Sequence, residues 1–485
     1  LARLVSIGDE ALIALETIAG RAAGIFAPNV RVGVTGLSRA GKTVFITALV
    51  HNLLHGGRLP LFDLVHSSRL SSAALEPQPD DGVPRFAYES HVRDLVEKRV
   101  WPESTRAISE LRLTVEYESA SGWNRLLSGG RLHIDIVDYP GEWLLDLPLL
   151  GQSFDEFSAK AVALAQAGSR AALAAQFLTL AREADPEAPA DEKFAAELSD
   201  AYKKYLQAGR DDGLALSTLP PGRFLMPGDL DGSPALTFAP LVQRASRARS
   251  GSLQAMMERR FESYKALVVK PFFKEHITRL DRQIVLIDAM HAMNAGPEAV
   301  HDLERALGDI LACFRPGAGN VITGLWQRTI DRLLIAATKA DHLHHEDHAR
   351  MEAIVRRLVR GAVQKAGSAG ASVETMAIAA VRATREATVM DNGERLPVIV
   401  GTPVAGEKIG EATFDGESET AIFPGDLPRD PDSIFKPGTI PTDEANRFVR
   451  FRPPRLEKSA KGVQLSLPHI RLDKALQFLL GDRLT

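Results

Sequence analysis

Eight consecutive residues, Gly36-Leu37-Ser38-Arg39-Ala40-Gly41-Lys42-Thr43, follow the spacing G-x-x-x-x-G-K-T, which suits a chain wrapping a polyphosphate. Glycines let the backbone wind close to phosphate oxygens, so that N–H groups from Gly36, Ser38, Arg39, Ala40 and Gly41 through the helical Val44 face the anion. Lys42 supplies a point charge for the β- and γ-phosphates, and the Thr43 hydroxyl a ligand for Mg²⁺. A second group, Asp138-Tyr139-Pro140-Gly141, places an acid where a water-mediated Mg²⁺ contact is expected and a glycine N–H where a γ-phosphate would sit. A third, Thr338-Lys339-Ala340-Asp341, offers a carboxylate able to accept from two donors on one edge of a purine, with the Lys339 stem lying along the base. Each has a bland counterpart: a strand-to-helix turn, a short D-x-x-G turn, or a solvated charged loop. Their order along the chain favours chemistry.

The elements that must position these groups are legible as well. Val30 to Thr35 reads as a short buried strand, followed by a helix from Gly41 to about Leu54. Ile108–Tyr117 and Leu132–Val137 alternate as strands, with a hairpin-like turn over 121–130, and Asp138 follows the second directly. Arg58–Ser104 reads as irregular. An Ala-rich helical stretch covers Ala159–Gln207, and helix returns over Ser252–Arg279. Ile284–Ile287, Leu333–Ala337 and Thr375–Val381 read as strands, separated by helices over Glu298–Phe314 and Asp347–Lys365. The remainder is Pro- and Gly-rich and closes on a short helix near Asp473–Leu480. The expected fold is α/β: a mixed sheet of the P-loop NTPase, GTPase-like kind, flanked by helices, with a large helical insertion and a small β-containing C-terminal extension. The expected division is an N-terminal helix over 1–29, a GTPase-like domain over 30–142 and 282–385, a helical insertion over 143–281, and an extension over 386–485.

In the phrases Gly-Leu-Ser-Arg-Ala-Gly-Lys-Thr (36–43), Asp-Tyr-Pro-Gly-Glu-Trp (138–143), Asn-Ala-Gly-Pro-Glu-Ala (294–299) and Ala-Thr-Lys-Ala-Asp-His (337–342), the chain resembles the YcjX-like family of bacterial stress-associated nucleotide-binding proteins. The resemblance implies a GTPase-like core that binds GTP or GDP with Mg²⁺ and carries a large helical insertion. Carried over, it makes the backbone of Ala379-Ala380-Val381 the loop that reaches guanine O6. It also makes Thr105, with Ser104 as runner-up, the switch threonine that joins Thr43 and Asp138 at the metal. Residue 142 is Glu where small GTPases carry the Gln that orients water, so Glu142 stands at the catalytic position beside Lys42, Asp138 and Gly141, and slow turnover is expected. Lys42 and Asp138 are 96 positions apart and Asp138 and Asp341 203, so the helical block starts just after the second motif, where a nucleotide switch would pull on it. The alternatives are an ATPase, in which Asp341 reads no base, and a membrane-associated scaffold holding a structural GDP.

The 485 residues, 45% hydrophobic and 25% charged, exclude a disordered or fibrous chain and allow two or three structural units. A net charge of −4 excludes a wholly nucleic-acid-binding surface, and the single Cys313 allows no intrachain disulfide. No apolar run reaches the ~20 residues of a spanning helix, and Asp9, Glu10 and Glu16 argue against a signal peptide, so a cytoplasmic protein is expected, with the inner-membrane periphery as a further setting. The expected partners are guanine nucleotide and an unidentified effector, a membrane protein among the candidates; no nucleic acid is implied. Two weaker features remain. His342, His344, His345 and His348 cluster with Glu346 and Asp347, a metal-like spacing for which a solvated helix start is the simpler account. Arg244–Glu275 holds eight bases and three acids around Phe261, Tyr264, Phe272 and Phe273, which suits an anionic surface or, more simply, an amphipathic helix.

Overall fold

The computed structural model describes residues 28–485 except 38, 104–106, 120–129, 211–214, 314–329, 368–370, 392, 439–447 and 457–465. The expected N-terminal helix and the 121–129 turn therefore lie outside the described residues.

Seven strands form the central sheet: β1 (Asn29–Gly36), β2 (Leu70–Glu76), β3 (Ser109–Tyr117), β4 (Arg131–Asp138), β5 (Arg282–Ile287), β6 (Arg332–Ala337) and β7 (Ser372–Ala377), in the order β2-β3-β4-β1-β5-β6-β7. β4, β1, β5, β6 and β7 run parallel, whereas β2 and β3 are antiparallel additions at one edge. The difference in sequence texture follows from burial. β5 and β6 are covered on both faces and carry continuous apolar runs, Ile284–Ile287 and Leu333–Ala337. β3 alternates because Leu111, Leu113 and Val115 enter a core while Glu110 and Arg112 pair on the other face, Arg31 to Glu110 at 2.8 Å and Arg112 to Asp135 at 2.6 and 2.8 Å. β2 lies inside the stretch read as irregular. Its sequence, LSSAALE, has little intrinsic strand preference and only long-range pairing with β3 makes it a strand.

One sheet face is covered by α1 (Lys42–Leu54) and the C-terminal α10 (Leu472–Leu480). On the other face lie α2 (Phe154–Ala165), α3 (Ala175–Glu183), α4 (Glu192–Arg210), α5 (Leu253–Tyr264), α6 (Ala289–Ala295), α7 (Pro297–Cys313), α8 (His345–Leu358) and α9 (Arg360–Gly367). Phe157, Phe177, Tyr202 and Phe261 of the helical block share one continuous core with Val285, Ile287, Leu333 and Ile335 of the sheet. The block over 143–281 is thus a layer on the sheet with no core of its own. The 386–485 extension likewise divides, since α10 buries Leu472, Leu476 and Leu479 against β1 and β6. What stands apart is a small sheet, β8 (Arg385–Asp391) with β9 (Glu394–Gly401) and Thr420–Ile422, whose core is Ile399, Ile422, Val449 and Phe451. The aromatic residues of Arg244–Glu275 are all buried, so its apolar face is core; no helix among the described residues is long and apolar enough to cross a membrane.

Gly141–Gly151 is a 3₁₀ stretch that leads from the sheet into the block, burying Trp143, Leu144 and Leu147. Asp146 in its middle accepts from the Gly222 N–H at 2.7 Å and the Tyr264 hydroxyl at 2.6 Å. Burial pushes its carboxyl up to about 6, against the pull of those donors. Between the unfolded value near 4 and about 6 the folded chain holds the extra proton, so this group's contribution to stability falls as pH rises through that window. The stability advantage of the wild type over Asp146→Asn should therefore be greatest below pH 4 and shrink by about 2 kcal/mol between pH 4 and 6.5. Paired denaturant titrations check this; a difference that is flat with pH means that the carboxyl titrates normally.

Candidate functional site

β1 emerges between β4 and β5, the place in the strand order where an open parallel sheet leaves a crevice at its carboxyl edge. The 36–43 turn fills that crevice. Gly36 is required there because a Cβ would meet the Leu286 carbonyl at 2.6 Å. Arg39 (φ 64°) and Gly41 (φ 83°) both take the left-handed conformation, which curls the backbone ahead of α1, and Gly41 is the helix's N-cap residue. Lys42 is buried and its ammonium donates to the Gly36 carbonyl at 3.0 Å, which holds it across the mouth of its own loop. The Thr43 hydroxyl lies 3.4 Å from the Glu103 carbonyl.

A cavity of about 370 Å³ opens on this loop. Arg39, Ala40, Gly41, Lys42, Thr43 and Val44 form one wall, and Thr338, Lys339, Asp341, Ala379, Ala380 and Val381 the opposite one. The structure thus brings together the first motif, the third, and the 379–381 triplet. Ser38, Thr105 and Ser104 lie outside the described residues.

On the far wall, β6 ends at Ala337 and the chain turns through Lys339 in the left-handed conformation (φ 61°). Asp341 is buried, accepts the Ala383 N–H at 2.8 Å on Oδ2, and takes the Thr384 hydroxyl on its main-chain carbonyl. One carboxylate oxygen is thereby held by the backbone. Lys339 is ion-paired with Asp288, the N-cap of α6. Burial alone would raise the Asp288 carboxyl, but Lys339 and the His291 N–H outweigh it and hold it below the usual range. The triplet needs a correction. β7 ends at Ala377, before the triplet, and the Ala379 N–H donates to the Ile470 carbonyl at 3.0 Å. Ala379 has no N–H to offer a ligand, which leaves Ala380 and Val381.

Asp138 and Gly141 do not line the cavity; they stand behind the loop. Asp138 ends β4 in register with Val34, and Gly141 packs so closely that a Cβ would lie 1.9 Å from the Gly36 carbonyl. Glu142 is 5% exposed, its carboxylate is 3.2 Å from Arg210 at the end of α4, and it lines a second cavity, of about 50 Å³, together with Leu37, Arg39 and Ala40 of the loop.

Sequence reading missed several wall residues. Trp101, Pro102 and Glu103 close one side, and Arg450 and Phe451 reach in from the small sheet. Trp101 Nε1 donates to the Phe451 carbonyl at 2.6 Å, and Arg99 Nε to that of Pro453 at 3.1 Å, so the segment before β3 is tied to the C-terminal sheet. Nothing local announces these contacts, which span about 350 positions. Asp288 did leave a signal: an acid directly after the apolar run Ile284–Ile287.

Fold and site define an α/β protein of the P-loop, GTPase-like class. The model described as "YcjX-like family, DUF463" matches residues 30–484, and the chain belongs to that family. It is 38% identical over 469 residues to a protein of Escherichia coli (strain K12) named Ras-like GTPase YcjX, covering 94% of this chain and 96% of that one. It is 35% identical over 478 residues to a protein of the same name from Shewanella oneidensis, at 94% and 95% coverage.

Gly141→Ala should cost about 2–3 kcal/mol of stability, because its methyl group cannot share space with the Gly36 carbonyl and two backbones must part. Gly151→Ala, where a Cβ meets nothing within 4 Å, should be near neutral. Urea unfolding of both variants tests the close approach; equal stabilities count against it.

Proposed function

We propose that this protein binds guanine nucleotide with Mg²⁺ in the cavity between the phosphate loop and Asp341, and works as a slow GTPase switch. The observation that carries the reading is the placement of Asp341 across the cavity from Lys42, with Oδ2 on the Ala383 N–H. Guanine presents two donors on one edge, and a carboxylate held by the backbone on one side meets them without reorganising. The cavity has the volume of a small-molecule site. Both relatives carry the name Ras-like GTPase, in line with this.

In this reading Gly36 to Val44 would hold the phosphates, Lys42 would leave its Gly36 carbonyl for a phosphate oxygen, and Thr43, with Asp138 acting through water from behind the loop, would hold Mg²⁺, whose charge would neutralise that of the transferred phosphoryl group. The switch threonine is proposed at Thr105. Lys339, braced by Asp288, lies along the base, and Ala380 or Val381 supplies the N–H for its carbonyl. Slow turnover is supported by Glu142, a carboxylate where small GTPases carry the water-orienting glutamine, and one that is paired with Arg210. A pull on the Gly141 N–H is transmitted along the 3₁₀ stretch whose Trp143, Leu144 and Leu147 are anchored in the helical block, so the block is the moving arm. The effector is a protein, and the setting a bacterial stress response at the cytoplasmic side of the inner membrane; these rest on the family resemblance.

Asp341→Asn tests the base assignment. The Ala383 N–H still requires an acceptor, so asparagine keeps its carbonyl oxygen there and turns its NH₂ toward the base. That NH₂ opposes the guanine amino group but donates to the carbonyl that xanthine has instead. GTP affinity should fall by about a hundredfold or more and XTP affinity should rise, since charge-assisted bonds of this kind are worth roughly 1.5–3 kcal/mol each. Lys42→Ala should abolish binding of every triphosphate with an unchanged circular dichroism spectrum. Wild-type preference for ATP, or a variant that keeps GTP and gains nothing for XTP, leaves a generic P-loop nucleotidase.

A further inference from the structure

The histidine-rich stretch after Asp341 is divided by the fold. His342 turns inward and packs edge-on against Phe451, with ring centroids 5.2 Å apart. His348 turns inward too, its Nε2 2.8 Å from the Ala340 carbonyl. The i,i+4 pairing of His344 with His348 does not form, because His344 is the N-cap residue and lies outside helix α8. The residues that do converge are His344, His345 and Glu346, which bring one ligand atom each within 4.8 Å of one another. Glu386, at the start of β8, joins them: its Oε2 is 2.6 Å from His345 Nδ1 and 3.8 Å from His344 Nε2.

We propose that His344, His345 and Glu346, backed by Glu386, bind a borderline divalent transition metal, zinc being the best fit. Two imidazoles with carboxylates are the nitrogen–oxygen set such an ion takes, and a hard ion such as Mg²⁺ prefers oxygen alone. His344 Nδ1 is a buried nitrogen with no hydrogen-bond partner, and the Glu346 carboxylate faces it at 4.0 Å, beyond hydrogen-bond reach. A tetrahedral ion with bonds of about 2.0–2.2 Å would draw such atoms to roughly 3.3–3.6 Å apart. The contraction is easy here, since the side chains of His345 and Glu346 are 62% and 71% exposed and the ion enters from solvent. Glu386 is shared with the Arg382 guanidinium at 3.5 Å, and Glu346 adds a second carboxylate whose charge favours a dication. The N-terminus of α8 opposes it, but a helix terminus at the surface is worth a small fraction of the coordination bonds.

The site lies outside the 370 Å³ cavity yet shares its frame. Glu386 is three residues beyond Ala383, whose N–H holds Asp341, and a metal here would clamp the start of α8 to that segment. That consequence rests on the proposed base-reading role of Asp341; the metal site itself does not.

Full-length protein stripped with a chelator would be titrated with Zn²⁺ alone by calorimetry, and with Co²⁺ as a chromophore whose absorption reports nitrogen–oxygen coordination. One zinc equivalent is expected to weaken at least thirtyfold in His344→Ala/His345→Ala, with the matching Co²⁺ bands lost. The single variant His345→Gln, at a position 62% exposed, should weaken it at least tenfold, and Glu386→Gln about tenfold through loss of the second carboxylate. His66→Ala, an exposed histidine elsewhere, should keep the site. Zinc affinity and cobalt spectra unchanged in His345→Gln overturn the proposal, as does the absence of a zinc equivalent in the wild type. Neither readout involves nucleotide, so such a result leaves the reading of the Asp341 cavity untouched.

Discussion

The carbonyl of Gly36 is gripped from two sides, and the rest of the site depends on that grip. The Lys42 ammonium donates to it at 3.0 Å, and the backbone of Gly141 stands so close that no side chain fits between them. Two glycines 105 positions apart thus let the end of β1 and the turn after β4 touch. The contact exists because β4 and β1 run parallel in register, so their carboxyl ends finish side by side. A larger residue at either position would push the loop away from the sheet edge. Lys42 would then lose the carbonyl that holds it.

From this contact the architecture extends in two directions. On one side the Gly141–Gly151 stretch runs straight into the helical layer, whose core is continuous with the sheet face. The junction is close-packed, with Trp143, Leu144 and Leu147 seated in that shared core. On the other side the segment around Trp101 reaches from α1's neighbourhood to the small C-terminal sheet through two side-chain hydrogen bonds to main-chain carbonyls. The phosphate loop therefore sits between two outer units, each attached to one of the segments flanking it.

Buried charge is arranged to hold shape at the opposite wall. Lys339 and Asp288 neutralise each other next to a helix start, and the Asp341 carboxylate is aimed by a single backbone N–H. Asp288 and Asp341 are the buried members, and either would be costly to bury unpaired. Paired as they are, they keep polar groups at fixed positions beside the cavity. The α/β sheet edge supplies the places, because β5, β6 and β7 all end there.

How much of this could be read without coordinates depended on whether the signal was local. The phosphate-loop spacing, the acid after β4, the acid-bearing turn after β6 and the parallel strands announce themselves within a few residues, because period, burial and turn chemistry are short-range properties. β2 did not, since an edge strand such as LSSAALE is made by its neighbour. The Ala379 N–H looked available, but Ile470 occupies it, and nothing local showed that Arg210 pairs with Glu142. Arg450 and Phe451 had no signal at all, being brought to the cavity from the far end of the chain. The sequence by itself determined the class of sheet and the candidate residues of the site, because those are fixed by residue type and local spacing. Only the tertiary structure decided which candidates share a cavity and which are already bonded to something else, because hydrogen-bond partners hundreds of positions apart meet only when the layers close.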